Sequence, residues 1–328
     1  MSWRAFPKIE LHLHLEGAAP PAFIRALSTE KSIDISKIFT EGGAYAFRDF
    51  QHFLKVYEAA TCVLTTPRDF GRLTSAVLDT LAENGVVYAE TFLSPEFCGG
   101  GDLHAWRDYL AEIEDAARLA ESTHGLTLKG IVTHIRHFGP EAARPIALCA
   151  AETAGDFICG YGMAGDENVG RARDFAWAFD CAREAGLHLT SHAGEWGGPE
   201  SIRDTLTDLR VERIGHGVAA IHDRALMETL ADREIALEVC PGSNVALGIF
   251  PSFAAHPLAK LRDAGVKVTV STDDPPFFHT SMTREYEALS RAFGWTETDF
   301  AELNQNALAA AFCDEDTRAR VRDRLEAS

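Results

Sequence analysis

Short apolar, β-branched runs recur eight times along this chain, separated by longer stretches with helical spacing, and that alternation limits the fold more than any other feature. The predicted strands cover residues 8–14, 86–93, 128–135, 158–163, 188–192, 213–217, 235–240 and 267–272. Between them lie helical patterns at 67–83, 105–122, 139–153, 171–185, 201–209, 223–231 and 256–263, and a helical tail begins at Ser281. Eight strands separated by crossover helices are the inventory of an α/β fold closed into a (β/α)8, or TIM, barrel. A doubly wound open sheet is the competing arrangement, and it has no reason to stop at eight units. Length alone would suggest two domains. Barrels of this kind run to about 250 residues or more as one domain, so residues 1–328 are expected to form a single one.

One segment breaks the alternation. Residues 15–66 separate the first strand from the next helical pattern, more than a single crossover needs. An insertion of that length near a barrel mouth is usually a lid or a binding element. Within it, FRDFQHFLKVYEA sets Phe47, Phe50, Phe53, Leu54 and Tyr57 at helical spacing. A helix with its own apolar packing face is expected there, and a lid helix needs such a face too.

Charge narrows the partners. With 31 Lys and Arg against 49 Asp and Glu, the formal net charge is −18, and no run of basic residues offsets it. Such a chain repels phosphate backbones, so nucleic acid is not an expected partner, and a small neutral or weakly charged molecule is. The start, MSWRAFPKIELHLHLEG, lacks the apolar core of a signal peptide, and none is expected. No apolar stretch reaches the roughly 18 residues of a membrane span. Seven scattered cysteines without a C-x-x-C pair read as buried free thiols of a cytoplasmic protein.

In a barrel of this kind the chemistry sits at the C-terminal ends of the strands. Those ends carry His12 and His14 in ELHLHLEG, the run GYGMAGDE, His192 and Glu195 in SHAGE, His216 in GHG, and Asp273 and Asp274 in STDDP. His12 and His14 are two apart on a strand and point to one face. Two imidazoles facing a barrel interior are costly to desolvate, and a divalent metal satisfies them well. His192 and Asp273, from two further strand ends, can converge on the same point. Neutral nitrogen with anionic oxygen suits zinc, and iron or cobalt fits the same shell. Glu195 then stands beside the metal rather than on it, where a carboxyl group serves as proton carrier. Singly, His216 reads equally well as a core histidine and Asp274 as a helix cap. All of them on one rim read as a site.

PKIELHLHLEG, MAGDE, SHAGE, RIGHG and STDDP, in that order from Pro7 to Pro275, resemble the successive motifs of the adenosine deaminase family of the amidohydrolase superfamily. The resemblance implies a (β/α)8 barrel with one zinc per chain held by His12, His14, His192 and Asp273, water completing the shell. It implies that His216 orients that water and stabilises or accepts charge, and that Asp273 also holds the attacking oxygen. By the same resemblance Glu195 protonates purine N1, Asp274 shares a proton with N7, and the Gly165 backbone contacts N3. Phe53 and Leu54 align with an apolar gate over the purine.

One position departs from the pattern. Family members acting on adenosine usually carry Asp two residues after the second histidine, where it meets the ribose 5′-hydroxyl; this chain has Glu16. MAGDE resembles the nucleoside-using branch, whereas CPGSN and VKVTVSTDDPPFF look closer to the adenine-using one. With an acid retained at the sugar position, adenosine and 2′-deoxyadenosine are the first expected substrates. Free adenine or another N6-bearing aminopurine is the alternative. A two-metal amidohydrolase would carry a bridging lysine after the fourth strand, where Met163, Ala164 and Gly165 stand instead. The paired H-x-E and P-C-x-x-C arrangement of the other zinc deaminase fold is not present. An inactive metal-binding homologue would have lost a ligand or Glu195, and all are retained.

Overall fold

The computed structural model describes residues 3–327. Eight parallel strands follow one another around a single sheet in chain order. They are β1 (Lys8–His14), β2 (Val86–Leu93), β3 (Thr127–Ile135), β4 (Ile158–Ala164), β5 (His188–Ala193), β6 (Arg213–His216), β7 (Ala236–Val239) and β8 (Val268–Val270). The helices are α1 (Pro21–Lys31), α2 (Phe50–Thr61), α3 (Pro67–Glu83), α4 (Leu103–His124), α5 (Pro140–Glu152), α6 (Ala176–Glu184), α7 (Pro199–Asp204), α8 (Arg224–Asp232), α9 (Pro241–Ala246), α10 (Leu258–Asp263) and the tail α11 (Met282–Phe293), α12 (Glu297–Ala310) and α13 (Glu315–Glu326). The predicted barrel is the observed one.

Closure of the barrel bears directly on the site. β8 is shorter than its apolar run, because beyond Val270 the backbone finds other partners. Thr272 N–H donates to the Glu10 carboxylate at 2.7 Å, and the Ser271 hydroxyl accepts from Leu11 N–H at 3.2 Å. Asp273 then bridges to β1: its N–H donates to the His12 carbonyl at 3.0 Å and its carbonyl accepts from His14 N–H at 3.1 Å. The seam of the barrel is therefore sewn through three residues expected to bind metal. β4 and β5 pair only through Gly160–His188 and Tyr161–Leu189, so their C-terminal halves part. At the opposite end Lys8 donates to the carbonyls of Trp3, Phe6 and Asn84.

The insertion after β1 holds two helices rather than one. α2 is capped by Asp49, whose side chain accepts from His52 N–H, and buries Phe53, Val56, Tyr57 and Ala60. Two predicted helices are each split, 171–185 into a 3-10 turn plus α6 and 201–209 into the end of α7 plus a π turn. α9 escaped the sequence reading because six residues carry too little periodicity to register. All seven cysteines are free; Cys98, Cys149 and Cys240 are buried as expected, and Cys62 is exposed. No helix among the described residues is long and apolar enough to cross a membrane.

Candidate active site

Four side chains from three places meet above the barrel. His12 Nε2 and His14 Nε2 lie 3.1 and 3.2 Å from His192 Nε2, and Asp273 Oδ1 lies 3.5 and 3.3 Å from the two β1 histidines. Three imidazole nitrogens this close cannot all be satisfied by one another, since each contact needs one donor and one acceptor. Ligand atoms each about 2.1 Å from one zinc ion would stand roughly 3.0–3.6 Å apart, and the spacing found falls in that range. His12 is turned for the purpose, because its Nδ1 lies 2.7 Å from the buried Glu238 carboxylate. With its Nδ1–H donating a hydrogen bond to that carboxylate, His12 turns the Nε2 lone pair to the cluster. Glu238 in turn takes the Arg213 guanidinium at 2.6 Å and the Thr190 hydroxyl at 2.8 Å. Burial works against its charge, but Arg213 and His12 hold it down at about 2.

The backbone is shaped around this cluster. A Cβ on Gly215 would sit 2.8 Å from the His12 ring, and one on Gly17 would fall 1.6 Å from Asp274 Oδ1, so neither place admits a side chain. His216 and Asp273, neither of them glycine, adopt left-handed backbone with φ of 59° and 66°.

The remaining expected residues line one cavity with the cluster. Glu195, His216, Asp273, Asp274, Gly165, His14, Phe53 and Leu54 all face it, together with Phe50, Tyr57, Phe97 and Leu247. Glu16 does not: it is buried behind Tyr57, whose hydroxyl lies 3.3 Å from its Oε2. α2 roofs the cavity, with Phe50 against Trp196 at 4.8 Å and Gln51 donating to Asp166 at 2.7 Å.

Charge in the cavity is divided unevenly. Burial lifts Glu195 well above the carboxylate range, and the charges of Asp273 and Glu167 add to it. Asp274 rises for the same first reason, then through Asp273 and Glu195. Burial also opposes the charge of Asp273, but hydrogen bonds with His12 and His14 outweigh it and hold that group well below its usual value. Burial and mutual repulsion thus favour the neutral form of Glu195 and Asp274, while the contacts with His12 and His14 favour the charged form of Asp273. His216 Nε2 and Asp274 Oδ1 have no protein partner.

Besides Glu238, the sequence reading missed three supporting residues beside the cavity. Glu167 gathers the N–H groups of Gly194, Glu195, Trp196 and Gly197 and the Ser201 hydroxyl, fixing the loop that carries Glu195. Ser243 donates to Asp273 Oδ2 at 2.7 Å, and Asn244 lies 3.3 Å from His216 Nδ1. MAGDE and CPGSN contained all three, but nothing local distinguishes a carboxylate that bonds a distant loop from one in water.

Residues 7–328 match the adenosine deaminase family over nearly the whole chain. The chain belongs to that family. It is 46% identical to an adenine deaminase of Rhizobium leguminosarum bv. trifolii over 97% of this chain and 98% of that protein. An adenine deaminase of Rhizobium rhizogenes is 47% identical over the same shares. Among solved structures, the adenine deaminase of Arthrobacter aurescens superposes with a TM-score of 0.89 at 30% identity, covering 98% of each chain. An amidohydrolase of Burkholderia ambifaria with bound Zn superposes with a TM-score of 0.86 at 26% identity, covering 99% of this chain and 94% of that one. The chain is a hydrolytic deaminase of the adenosine deaminase family, with a cluster fit to hold a metal ion. The three deaminases among these relatives are named for adenine, the alternative of the two expected substrates.

Proposed function

We propose that this chain, acting as one barrel domain, converts free adenine and water to hypoxanthine and ammonia, with one zinc held by His12, His14, His192 and Asp273. The observation that carries adenine over its nucleosides is the state of Glu16. It occupies the family's sugar-contact position, yet Tyr57 covers it and presents its own ring to the cavity, flanked by Phe97 and Phe277 at 6.0 and 5.8 Å between ring centres. A base without a sugar leaves the Tyr57–Glu16 pair intact, whereas a nucleoside has to break it.

The protein groups divide the work. Glu195, protonated in the free site, gives its proton to N1 and makes C6 electrophilic. Protonated Asp274 donates to N7, and the Gly165 backbone takes the N3 edge. A bound divalent ion supplies Lewis acidity that makes water nucleophilic near neutral pH. Water adds at C6 and the C6–N6 bond breaks. One water proton leaves on ammonia, and the other returns to the carboxyl that protonated N1. Phe50, Phe53 and Leu54 on α2 exclude bulk water meanwhile.

The test compares kcat/KM for adenine, adenosine and 2′-deoxyadenosine on zinc-loaded enzyme. Adenine should lead by about 10²-fold or more, because the site would otherwise have to uncover a buried acid. Tyr57→Ala exposes Glu16 and should narrow the gap by raising nucleoside turnover. Equal or better turnover of adenosine by the wild type overturns the proposal.

A further inference from the structure

His216 reaches the cavity from the end of β6, and two residues that never touch the cavity stand behind it. His256, ahead of α10, and Asn244, on α9, are both buried. Together with His216 they form a chain of contacts whose direction can be read from one end. It begins at Leu258 N–H, a group that only donates, 3.1 Å from His256 Nδ1. His256 Nδ1 therefore accepts and carries no proton. Burial pushes this histidine down to about 3, so the ring is neutral and its one proton sits on Nε2. That nitrogen lies 3.1 Å from Asn244 Oδ1 and donates to it. With its oxygen engaged, the Asn244 amide turns its NH2 to His216 Nδ1 at 3.3 Å. The amide orientation follows from the backbone donor rather than from the choice of N and O positions.

We propose that Asn244 and His256 are positioning residues that fix the tautomer of His216, placing its ring proton on Nε2 and facing that proton into the reacting centre. His216 Nε2 has no protein partner and lies 3.8 Å from Glu195 Oε2 and 3.9 Å from Asp273 Oδ2. With the proton already there, His216 donates a hydrogen bond to the oxygen that attacks C6 and does not take a proton from it. The sequence left both roles open; the relay selects the donor. Its catalytic meaning rests on the hydrolytic reading of this site, whereas the tautomer itself does not.

The experiment uses the zinc-loaded full chain with 15N-labelled histidine. The His216 signals are assigned by their disappearance in His216→Gln, and their shifts show which ring nitrogen carries the proton. The wild type should show it on Nε2; a proton on Nδ1 overturns the proposal without any test variant having to fold. Asn244→Asp keeps the shape but can only accept, so it should draw a proton onto Nδ1. It should also lower kcat about 10–100-fold with KM and zinc content little changed. Asn244→Ala, which does not force the wrong tautomer, should lose less. An alanine variant worse than the aspartate, or an aspartate variant with the proton still on Nε2 alone, marks a packing role and overturns the proposal. Lack of turnover on adenine would sink the substrate reading and leave the NMR result standing.

Discussion

Left-handed backbone at a non-glycine residue costs on the order of 1–3 kcal/mol and persists where the surroundings over-determine it. His216 and Asp273 both adopt it, one at the end of β6 and the other where the barrel closes. Those turns aim a ring and a carboxylate at the same cavity. Two substitutions separate the roles around them. Glu195→Gln should keep the fold and the metal, because Glu195 is outside the four-residue cluster, and lower kcat about 10²–10⁴-fold. A glutamine variant with near wild-type kcat removes Glu195 from the proton path. Glu238→Gln is expected to do the reverse. It weakens the acceptor on which His12 Nδ1 depends, so zinc affinity should fall about 10–100-fold in a chelator competition. Unchanged affinity would mean that Glu238 does not orient His12.

At the scale of elements, short helices at the strand ends aim the supporting groups. α9 is held at its start by Glu285 of α11, which accepts from Gly242 N–H at 3.1 Å and touches the Thr280 hydroxyl at 2.5 Å. Burial raises Glu285 to about 8 against hydrogen bonds that lower it, so the folded protein keeps a proton there that the unfolded chain loses near its ordinary value of 4.5. The folded state binds more protons between those values, and the contribution to stability is full below the lower one and is lost as pH rises through about 8. Glutamine mimics the protonated acid, accepting from Gly242 and donating to Thr280. Glu285→Gln should therefore gain in melting temperature over the wild type at pH 9 and gain little or nothing at pH 5. Equal differences at both pH values would show that Glu285 does not titrate in this range.

Across the whole molecule, one buried chain of charges links the tail to the metal cluster. Arg213 joins Glu238, which orients His12, to Glu90, and donates to the Ala310 carbonyl at 2.9 Å. Glu90 also accepts from Phe312 N–H at 2.5 Å, and the Arg213 guanidinium lies 3.6 Å from the Phe312 ring centre. Arg213→Met leaves two carboxylates without their counter-charge and should destabilise by about 3–5 kcal/mol in chemical denaturation. A loss under 1 kcal/mol would mean that the pair protonates at little expense. Metal should stabilise the same assembly. An ion held by the folded cluster and not by the unfolded chain stabilises the fold, so chelation should lower the melting temperature as well as abolish turnover, and re-addition of zinc should restore both in proportion to free zinc. Full activity after rigorous metal removal contradicts a metal-dependent reaction.

Local periodicity was enough to place the strands, and placing the strands was enough to nominate His12, His14, His192, His216, Asp273 and Asp274, because chemistry in this fold gathers at strand ends. The side-by-side setting of His12 and His14 follows from a period of two, which needs no tertiary information. What periodicity could not show is which residue stands behind which. Glu238 lies in an ordinary interior strand, Glu167 in a loop after β4, and His256 beside a proline, and each acts on a group between 12 and 226 positions away. The covering of Glu16 by Tyr57 spans 41 positions in the same way. Those contacts exist only once the sheet has closed and α2 has folded over its mouth. Side-chain type and spacing determined the barrel and the ring of candidate groups; closure decided which side chain stands behind which and what covers Glu16, because these depend on distances between segments that no local pattern encodes.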